Sequence, residues 1–247
     1  MNPAEFCNLM IKKFKREKFE NISSGWLNTY LKAEKISSKL KSKLIDKSSF
    51  PFEGRVITET INLMPDDSVL MVSNSMPVRD LDYFASKKNK QIIVYNNRGA
   101  SGIEGITSTA LGIALHSNKP TVLITGDLAF YYDLNGLLTS MKYKIPLVVI
   151  LINNNGGGIF ETLPIAKSRK IFTEYFLTPH NINFSPIIKT YNGKFTDIKS
   201  WNHFHDSFQK AIKSRSLYVL QIRTDAKKSK ELREKFWHHA GKELFKM

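Results

Sequence analysis

Residues 121–160 limit the possible folds more than any other part of the sequence. An apolar run at 122–124 ends at a Thr-Gly-Asp turn, and apolar residues then recur at helical spacing between 134 and 141. A second run at 147–152, rich in β-branched residues, stops at three asparagines followed by three glycines. Short apolar runs bounded by turns are typical of strands that are buried on both faces. The stretch therefore predicts two parallel strands joined by a helical crossover.

The polar residues that follow these two strands are expected to meet at one edge of the sheet. Open α/β sheets bind ligands at the carboxyl ends of their strands. Asp127 offers an anionic oxygen, Asn154 a neutral amide oxygen, and Gly156 allows a backbone carbonyl to approach closely. With phosphate oxygens and water, such oxygens suit octahedral Mg²⁺, and helix amides after Gly126 suit a diphosphate. Either polar residue alone is typical of an ordinary strand end, but the two together at this spacing favour a metal site.

The rest of the chain repeats the alternation of strands and helices. Further strands are expected at 68–72, 91–95, 194–196 and 217–222, with helical patterns between them. This order predicts an α/β fold with a parallel sheet of about six strands and helices on both faces. Residues 1–50 differ, because they are helical in pattern, strongly basic and without a strand. We expect a separate basic segment there, either a docking arm or packed on the sheet domain at 51–247.

Two further turns carry residues of functional interest. Ser75 and Arg79 follow the first strand, where a hydroxyl and a guanidinium could bind a carboxylate. Arg79 could instead form a surface ion pair with Asp80 or Asp82. The turn at 96–105 opens another helix, but its glycines are spaced GxxGxxG rather than GxGxxG. A nicotinamide-binding Rossmann domain is therefore not expected.

Composition and charge set limits on partners and location. The net charge of +15 could indicate a nucleic-acid or anionic-membrane partner, yet the lysines are spread along the chain and favour a solvated surface without a nucleic-acid partner. No apolar run reaches about 18 residues, so no membrane span is expected. The single cysteine, Cys7, and the lack of a signal-peptide core favour a reducing, cytoplasmic location. His180, His203 and His205 are expected to be solvated or structural.

Four motifs, in this order, resemble those of one enzyme family. They are SNSMPVRDLD at 73–82, NNRGASGIEG at 96–105, TGDLAFYYDLNGL at 125–137 and NNNGGGIFETLP at 153–164. The last two contain GD, 24 residues (129–152) after Leu128, and NN, a pattern that resembles the thiamine-diphosphate signature, in which glycine is usual at the position of Leu128. From about residue 52 the chain resembles the C-terminal, diphosphate-binding domain of the 2-succinyl-5-enolpyruvyl-6-hydroxy-3-cyclohexene-1-carboxylate synthases of menaquinone and phylloquinone biosynthesis, the MenD family. Residues 1–50 resemble the end of the family's middle domain.

This resemblance implies a cofactor, a metal and substrates. Family members are transferases that use thiamine diphosphate with Mg²⁺ or Mn²⁺ to join decarboxylated 2-oxoglutarate to isochorismate. By motif position, the residues implied to bind the metal are Asp127, Asn154 and Gly156, and Ile103, Gly126 and Leu128 join them as implied cofactor-binding residues. The residues implied to bind substrate are Ser75, Arg79 and Arg98, with Phe160 and Leu163 forming the apolar wall of that pocket.

The resemblance also implies a missing part. The family holds the pyrimidine ring of the cofactor, and activates it with a glutamate, in an N-terminal domain for which this chain has no room. The family's active site forms between two subunits, so a homo-oligomer is implied for full-length members and no catalytic glutamate is expected here. The chain could work with a separate pyrimidine-binding polypeptide, or be a fragment that has lost that domain. A basic binding module and another 2-oxo acid decarboxylase or carboligase stay as alternatives, although Arg79 and Arg98 suit a polyanionic substrate.

Overall fold

The computed structural model describes residues 2–16, 24–86 and 89–247. Within those residues one sheet of six parallel strands has the order β2-β1-β3-β4-β6-β5. The strands are β1 (Ser68–Val72), β2 (Ile92–Tyr95), β3 (Thr121–Gly126), β4 (Leu147–Asn153), β5 (Lys194–Asp197) and β6 (Leu217–Arg223). The α/β fold predicted from the sequence is thereby confirmed.

Helices connect the strands and flank the sheet. They are α1 (Pro3–Arg16), α2 (Ser24–Lys47), α3 (Glu53–Leu63), α4 (Met76–Phe84), α5 (Ile106–Ser117), α6 (Asp127–Tyr132), α7 (Leu137–Tyr143), α8 (Arg169–Phe172), α9 (Phe184–Thr190), α10 (Trp201–Lys213) and α11 (Ala226–Leu244). A π-helical turn at Thr173–Leu177 follows α8. None of the described helices is long and apolar enough to cross a membrane.

The strands β1 and β4 are buried along their whole length, because helices cover both faces of the sheet. Successive side chains of a strand point to opposite faces. On β1, Leu70 and Val72 join a core with residues of α3, α4 and α10. Met71, between them, joins a second core with residues of α5, α6, α7 and α9. A sheet covered on both faces requires the continuous apolar runs that the sequence shows.

The order of the strands reverses beside β1, and this reversal positions the functional edge of the sheet. From β1 the chain passes to β2 at one edge and then returns to β3 on the other side of β1. A crevice opens at the carboxyl ends of strands where the order reverses in this way. Gly126 at the end of β3 is in register with Ile152 of β4. The polar residues that follow both strands therefore lie beside this crevice.

The crossover between β3 and β4 is not the single helix that the apolar spacing predicts. A 3₁₀ turn at Leu134–Gly136 separates α6 from α7. Asp133 lies at the break and is buried. Its carboxylate accepts hydrogen bonds from the backbone N–H of Ser108, at 2.6 Å, and from the hydroxyl of the same residue, at 2.9 Å. The break is thus held by a tertiary contact with α5, which apolar spacing alone does not reveal.

In the described part of the first 50 residues, contacts with the sheet domain come from α2 and from the turn after it, where Phe50 packs edge-to-face on Trp201. Helix α1 has no buried residue. Near the end of α2, Ile45 packs in a small core with Phe52 and Phe84. Lys41 Nζ also donates to the carbonyl of Ala85, at 2.7 Å. The predicted boundary at residue 50 stays a prediction.

A glycine at the second position of α3 gives a test of this packing. A Cβ at Gly54 would lie 2.5 Å from Phe84 Cδ2 and 2.7 Å from Phe52 Cζ. We expect Gly54→Ala to lower the free energy of unfolding by about 1–3 kcal/mol, because overpacking outweighs the better helix propensity of alanine. Urea titration would measure the change.

Gly112 in α5 is the matched control, because a Cβ there meets nothing within 4 Å. Gly112→Ala should raise the free energy of unfolding by about 0.5–1 kcal/mol. Equal effects of the two substitutions would contradict the described approach of α3 to Phe84.

Candidate cofactor and metal site

A cleft of about 330 Å³ lies at the carboxyl ends of β1, β3 and β4. It brings together nearly all the residues singled out in the sequence. Those lining it are Ser75, Arg79, Arg98, Ile103, Gly126, Asp127, Leu128, Asn154, Gly156 and Phe160. Leu163 does not line the cleft and has 43% of its surface exposed. The geometry therefore gives no support to Leu163 as part of the substrate wall.

Asp127 is the anionic group at the base of this cleft. It is 2% exposed, and its two carboxylate oxygens accept from the backbone N–H groups of Leu128, at 2.7 Å, and Gly156, at 3.0 Å. Burial raises the pKa of Asp127, although these hydrogen bonds and the neighbouring His180 oppose the effect. Each carboxylate oxygen retains a lone pair that could coordinate a cation.

The amide of Asn154 presents an unused acceptor. Its Oδ1 is buried and has no hydrogen-bond partner, whereas its Nδ2 donates to Glu53 Oε1 at 3.1 Å. A buried polar atom without a partner costs about 1–3 kcal/mol. An oxygen ligand for a divalent cation is the role that this atom can fill.

Gly156 adopts a backbone conformation that other residues rarely reach, with φ of 144°. A Cβ at this position would overlap the carbonyl oxygen of Leu177. The carbonyl of Gly156 accepts from the N–H of Gly158 at 2.9 Å, which leaves one carbonyl lone pair for a metal. Asp127, Asn154 and Gly156 thus fit a divalent cation that is bound by one carboxylate and neutral oxygens.

No cluster of three or more His, Cys, Asp or Glu residues suited to a metal occurs among the described residues. Asp127, Asn154 and Gly156 offer three protein oxygens, so an octahedral cation here would take its other ligands from water or a bound anion.

The N-terminus of α6 contributes less to anion binding than the sequence suggests. The helix has only 6 residues. The N–H of Leu128, in its first turn, is already donated to Asp127. This N–H group therefore stabilises the Asp127 carboxylate and is not free to bind a phosphate.

His180, which received no role from the sequence, lies against Asp127. The N–H of Ile182 donates to His180 Nδ1 at 3.0 Å, so in the neutral ring the proton is on Nε2. That Nε2 lies 3.2 Å from Asp127 Oδ2, although the two do not align as a hydrogen bond. No local pattern identifies this residue, because it reaches the site from an irregular segment beyond β4.

One side of the cleft carries two arginines, Arg79 and Arg98, which have no carboxylate partner among the described residues. Arg79 Nη1 donates to the carbonyl of Ser75 at 2.6 Å, and Arg98 Nη1 donates to Asn74 Oδ1 at 3.3 Å. The alternative that Arg79 pairs with Asp80 is wrong, because Asp80 faces Arg233 instead. The remaining guanidinium N–H groups can therefore bind an anion.

Asn74 is a second residue that the sequence reasoning missed. It is buried, lines the cleft and donates from Nδ2 to the carbonyls of Asn97, at 3.2 Å, and Gly102, at 2.6 Å. It thereby ties the end of β1 to the loop that carries Arg98. Its position two residues after a buried strand is the sequence signal that could have identified it.

A buried ionic cluster lies behind Asn154. Arg233 of α11 donates to Asp80 Oδ1 at 2.7 Å and Oδ2 at 2.5 Å, and to Glu53 Oε2 at 2.6 Å. All three side chains are at most 3% exposed. Burial raises the pKa of Asp80 to about 6, although Arg233 opposes the shift. Burial tends to lower the pKa of Arg233, but Asp80 and Glu53 outweigh it and the pKa is raised.

Comparison with known proteins identifies the class. Residues 78–222 match the model of the thiamine pyrophosphate enzyme, C-terminal TPP binding domain. The chain therefore belongs to this family. A thiamine diphosphate-dependent 4-hydroxybenzoylformate decarboxylase from Rhodococcus jostii has the same fold, with a TM-score of 0.61 at 20% identity, over 72% of this chain and 33% of that one.

Curated relatives narrow the identification and confirm the resemblance stated from the motifs. The chain is 37% identical over 234 residues to the 2-succinyl-5-enolpyruvyl-6-hydroxy-3-cyclohexene-1-carboxylate synthase of Bacillus cytotoxicus, covering 94% of this chain and 39% of that protein. It is 42% identical over 203 residues to the synthase of the same name from Bacillus velezensis, covering 82% of this chain and 35% of that protein. The chain thus spans little more than a third of these relatives, and it corresponds to their C-terminal TPP-binding portion.

The raised pKa of Asp80 predicts a pH dependence of stability. The pKa is about 6 in the folded protein, against the ordinary value of 3.8. Because the folded state binds this proton more tightly than the unfolded chain, the stabilisation is fully present below about pH 4 and is lost as the pH rises through about 6. We expect the free energy of unfolding of the parent to fall over this pH range by an amount that Asp80→Asn does not show.

Urea titrations at several pH values would measure this component as the difference between the parent and the variant. Asp82→Asn is the control, because Asp82 is exposed on the same helix. Parallel pH profiles for the parent and Asp80→Asn would contradict the prediction.

Proposed function

We propose that this chain provides the diphosphate- and metal-binding part of a thiamine-diphosphate-dependent synthase that joins decarboxylated 2-oxoglutarate to isochorismate. The observation that carries the proposal is the buried, unpartnered Asn154 Oδ1, which lines the same cleft as Asp127 and Gly156. The name of the curated relatives supports the choice of reaction.

In this proposal Asp127, Asn154 and Gly156 would hold a divalent cation, Mg²⁺ or Mn²⁺, that neutralises the charge of the diphosphate. Asp127 supplies the negative charge, and Asn154 and the Gly156 carbonyl supply neutral oxygens. Gly126 and Leu128 flank Asp127 and shape the floor of the cleft. Thiamine diphosphate, when bound, delocalises the negative charge that decarboxylation leaves on the former carbonyl carbon.

Substrate binding is assigned to the arginine side of the cleft. Both proposed substrates are polyanions, and Arg79 and Arg98 each have N–H groups free to bind carboxylates. The hydroxyl of Ser75 is assigned to the same carboxylate-binding group. Ser75 lies at the turn between β1 and α4, where its φ is 71°. Phe160 supplies apolar surface on the substrate side, where Phe176 contacts it edge-to-face at a centroid distance of 5.8 Å, and Ile103 supplies apolar surface to the cofactor.

The activating glutamate and the pyrimidine-binding region are proposed to come from outside these residues. Most of the length of the curated relatives has no counterpart in this chain. We propose that this missing region, whether on a second polypeptide or on a longer form of the chain, completes the active site.

The metal assignment predicts a cofactor-binding defect. Asp127→Ala should abolish Mg²⁺-dependent binding of thiamine diphosphate, because the cation would lose its only charged protein ligand. Isothermal titration with thiamine diphosphate, at a series of Mg²⁺ concentrations, would measure it. Asp82→Ala, an exposed change outside the cleft, should bind as the parent does. Unchanged binding by Asp127→Ala would show that the metal site is misassigned.

The substrate assignment predicts a separate defect. The chain would be co-expressed with the part of the Bacillus velezensis synthase that it does not cover, and carbon dioxide release from 2-oxoglutarate plus isochorismate would be assayed. Arg98→Met should raise the KM for substrate by about 10- to 100-fold, because a charge-assisted hydrogen bond is lost. Its affinity for thiamine diphosphate should not change.

Arg215→Met is the matched control, since Arg215 lies two residues before the start of β6, at the opposite end of the sheet. It should leave the KM unchanged. A loss confined to cofactor affinity in Arg98→Met would refute the substrate role of Arg98.

A further inference from the structure

The amide of Asn154 is oriented by a partner from a distant part of the chain. Its Nδ2 donates to Glu53 Oε1 at 3.1 Å, and the hydroxyl of Thr224 donates to the same oxygen at 2.8 Å. Glu53 lies at the start of α3, 101 residues before Asn154. Neither Glu53 nor Arg233 falls within the residues matched by the family model.

The charge of Glu53 determines which way the Asn154 amide points. A carboxylate only accepts hydrogen bonds, whereas an amide has one end that donates and one that accepts. Paired with Arg233 at 2.6 Å, Glu53 presents a carboxylate to Asn154. The NH₂ of Asn154 must therefore face Glu53, and its Oδ1 must face the other way.

The turn around Asn154 leaves the amide little room to move. A Cβ at Gly158 would lie 2.5 Å from Asn154 Nδ2 and 2.8 Å from the Cβ of Ala226, the first residue of α11. The amide is thus enclosed between the glycine run and the start of the helix that carries Arg233. The amide group can still rotate by 180°, which would exchange its oxygen and its NH₂. Glu53 opposes this exchange because its carboxylate accepts from the NH₂.

We propose that Glu53 and Arg233 are positioning residues, which fix the Asn154 amide so that its oxygen faces the metal. Arg233 holds Glu53 Oε2, Glu53 Oε1 holds the NH₂ of Asn154, and Asn154 Oδ1 is left for the cation. The inference rests on the proposed metal site and adds the residues that orient one of its ligands. Partners behind metal ligands typically change metal affinity about 10- to 100-fold when they are removed.

The test is Glu53→Gln, which preserves size but introduces an amide NH₂ that can donate to Asn154 Oδ1. We expect the Mg²⁺ concentration for half-maximal thiamine diphosphate binding to rise by about 10- to 100-fold. Isothermal titration with thiamine diphosphate at a series of MgCl₂ concentrations measures it, and circular dichroism checks the fold.

A second substitution distinguishes orientation from general damage. Asn154→Asp has two equivalent oxygens, so its orientation no longer matters. Alone, it places a second carboxylate against Glu53 and should weaken Mg²⁺-dependent binding. Combined with Glu53→Gln, it should restore most of the affinity, because the introduced amide can donate to one carboxylate oxygen while the other faces the metal. A merely structural role for Glu53 would give no such rescue.

Two further variants make the test robust. Glu59→Gln is the matched control on α3, because Glu59 pairs with Arg55 and His205 away from the cleft, and it should leave Mg²⁺ dependence unchanged. Arg233→Lys keeps the positive charge and should show an intermediate loss even if Glu53→Gln fails to fold, since one ammonium cannot reproduce the three hydrogen bonds of the guanidinium.

The outcomes separate this inference from the proposed function. If the parent chain fails to bind thiamine diphosphate with Mg²⁺, both are wrong. If the parent binds but Glu53→Gln and Arg233→Lys keep its Mg²⁺ dependence, or the double variant shows no rescue, only the positioning role is wrong.

Discussion

The arrangement of the site depends on the buried ion pairs that Arg233 forms with Glu53 and Asp80. Arg233 joins α11 to α3 and α4 through Glu53 and Asp80, at sequence separations of 180 and 153 residues. Moving three charged groups out of water is costly, and their mutual attraction repays that cost only with close, well-directed hydrogen bonds. The three short bonds of Arg233 recover part of this cost, and burial still outweighs them at Asp80, whose pKa is raised to about 6. A hydrophobic cluster could hold these helices equally well, but it could not give Asn154 an acceptor of fixed direction.

The glycine run is held by the segment that follows it as well as by its own hydrogen bond from Gly158 to Gly156. The N–H of Gly157 donates to the carbonyl of Leu177 at 2.7 Å, and Asn155 Oδ1 accepts from the N–H of Asn181 at 2.8 Å. Asn155 and Asn181 both have positive φ, 63° and 50°. Such conformations persist where surrounding contacts over-determine them. The turn that presents Gly156 is therefore built jointly with the loop that carries His180.

The sheet could be predicted from the sequence because its signals are local. The run at 68–72 is one strand as expected, and the run at 147–152 is extended by one residue only. Asp127 and Asn154 could be paired because strand register places the two strand ends together. Glu53, Arg233 and His180 could not be found in this way. Glu53 lines the cleft, and Arg233 and His180 contact cleft residues, only through tertiary packing. A glutamate at a helix start or an arginine in a basic helix is ordinary on its own.

The acidic groups of the cleft are all engaged in hydrogen bonds or ion pairs. Among its lining residues only Glu53, Asp80 and Asp127 carry carboxylates. Glu53 and Asp80 are both bound to Arg233, and Asp127 accepts from two backbone N–H groups. A general acid or base must reach the atom with which it exchanges a proton, and each of these carboxylates is already bound by Arg233 or by backbone N–H groups. The described residues therefore favour cation and anion binding over proton transfer.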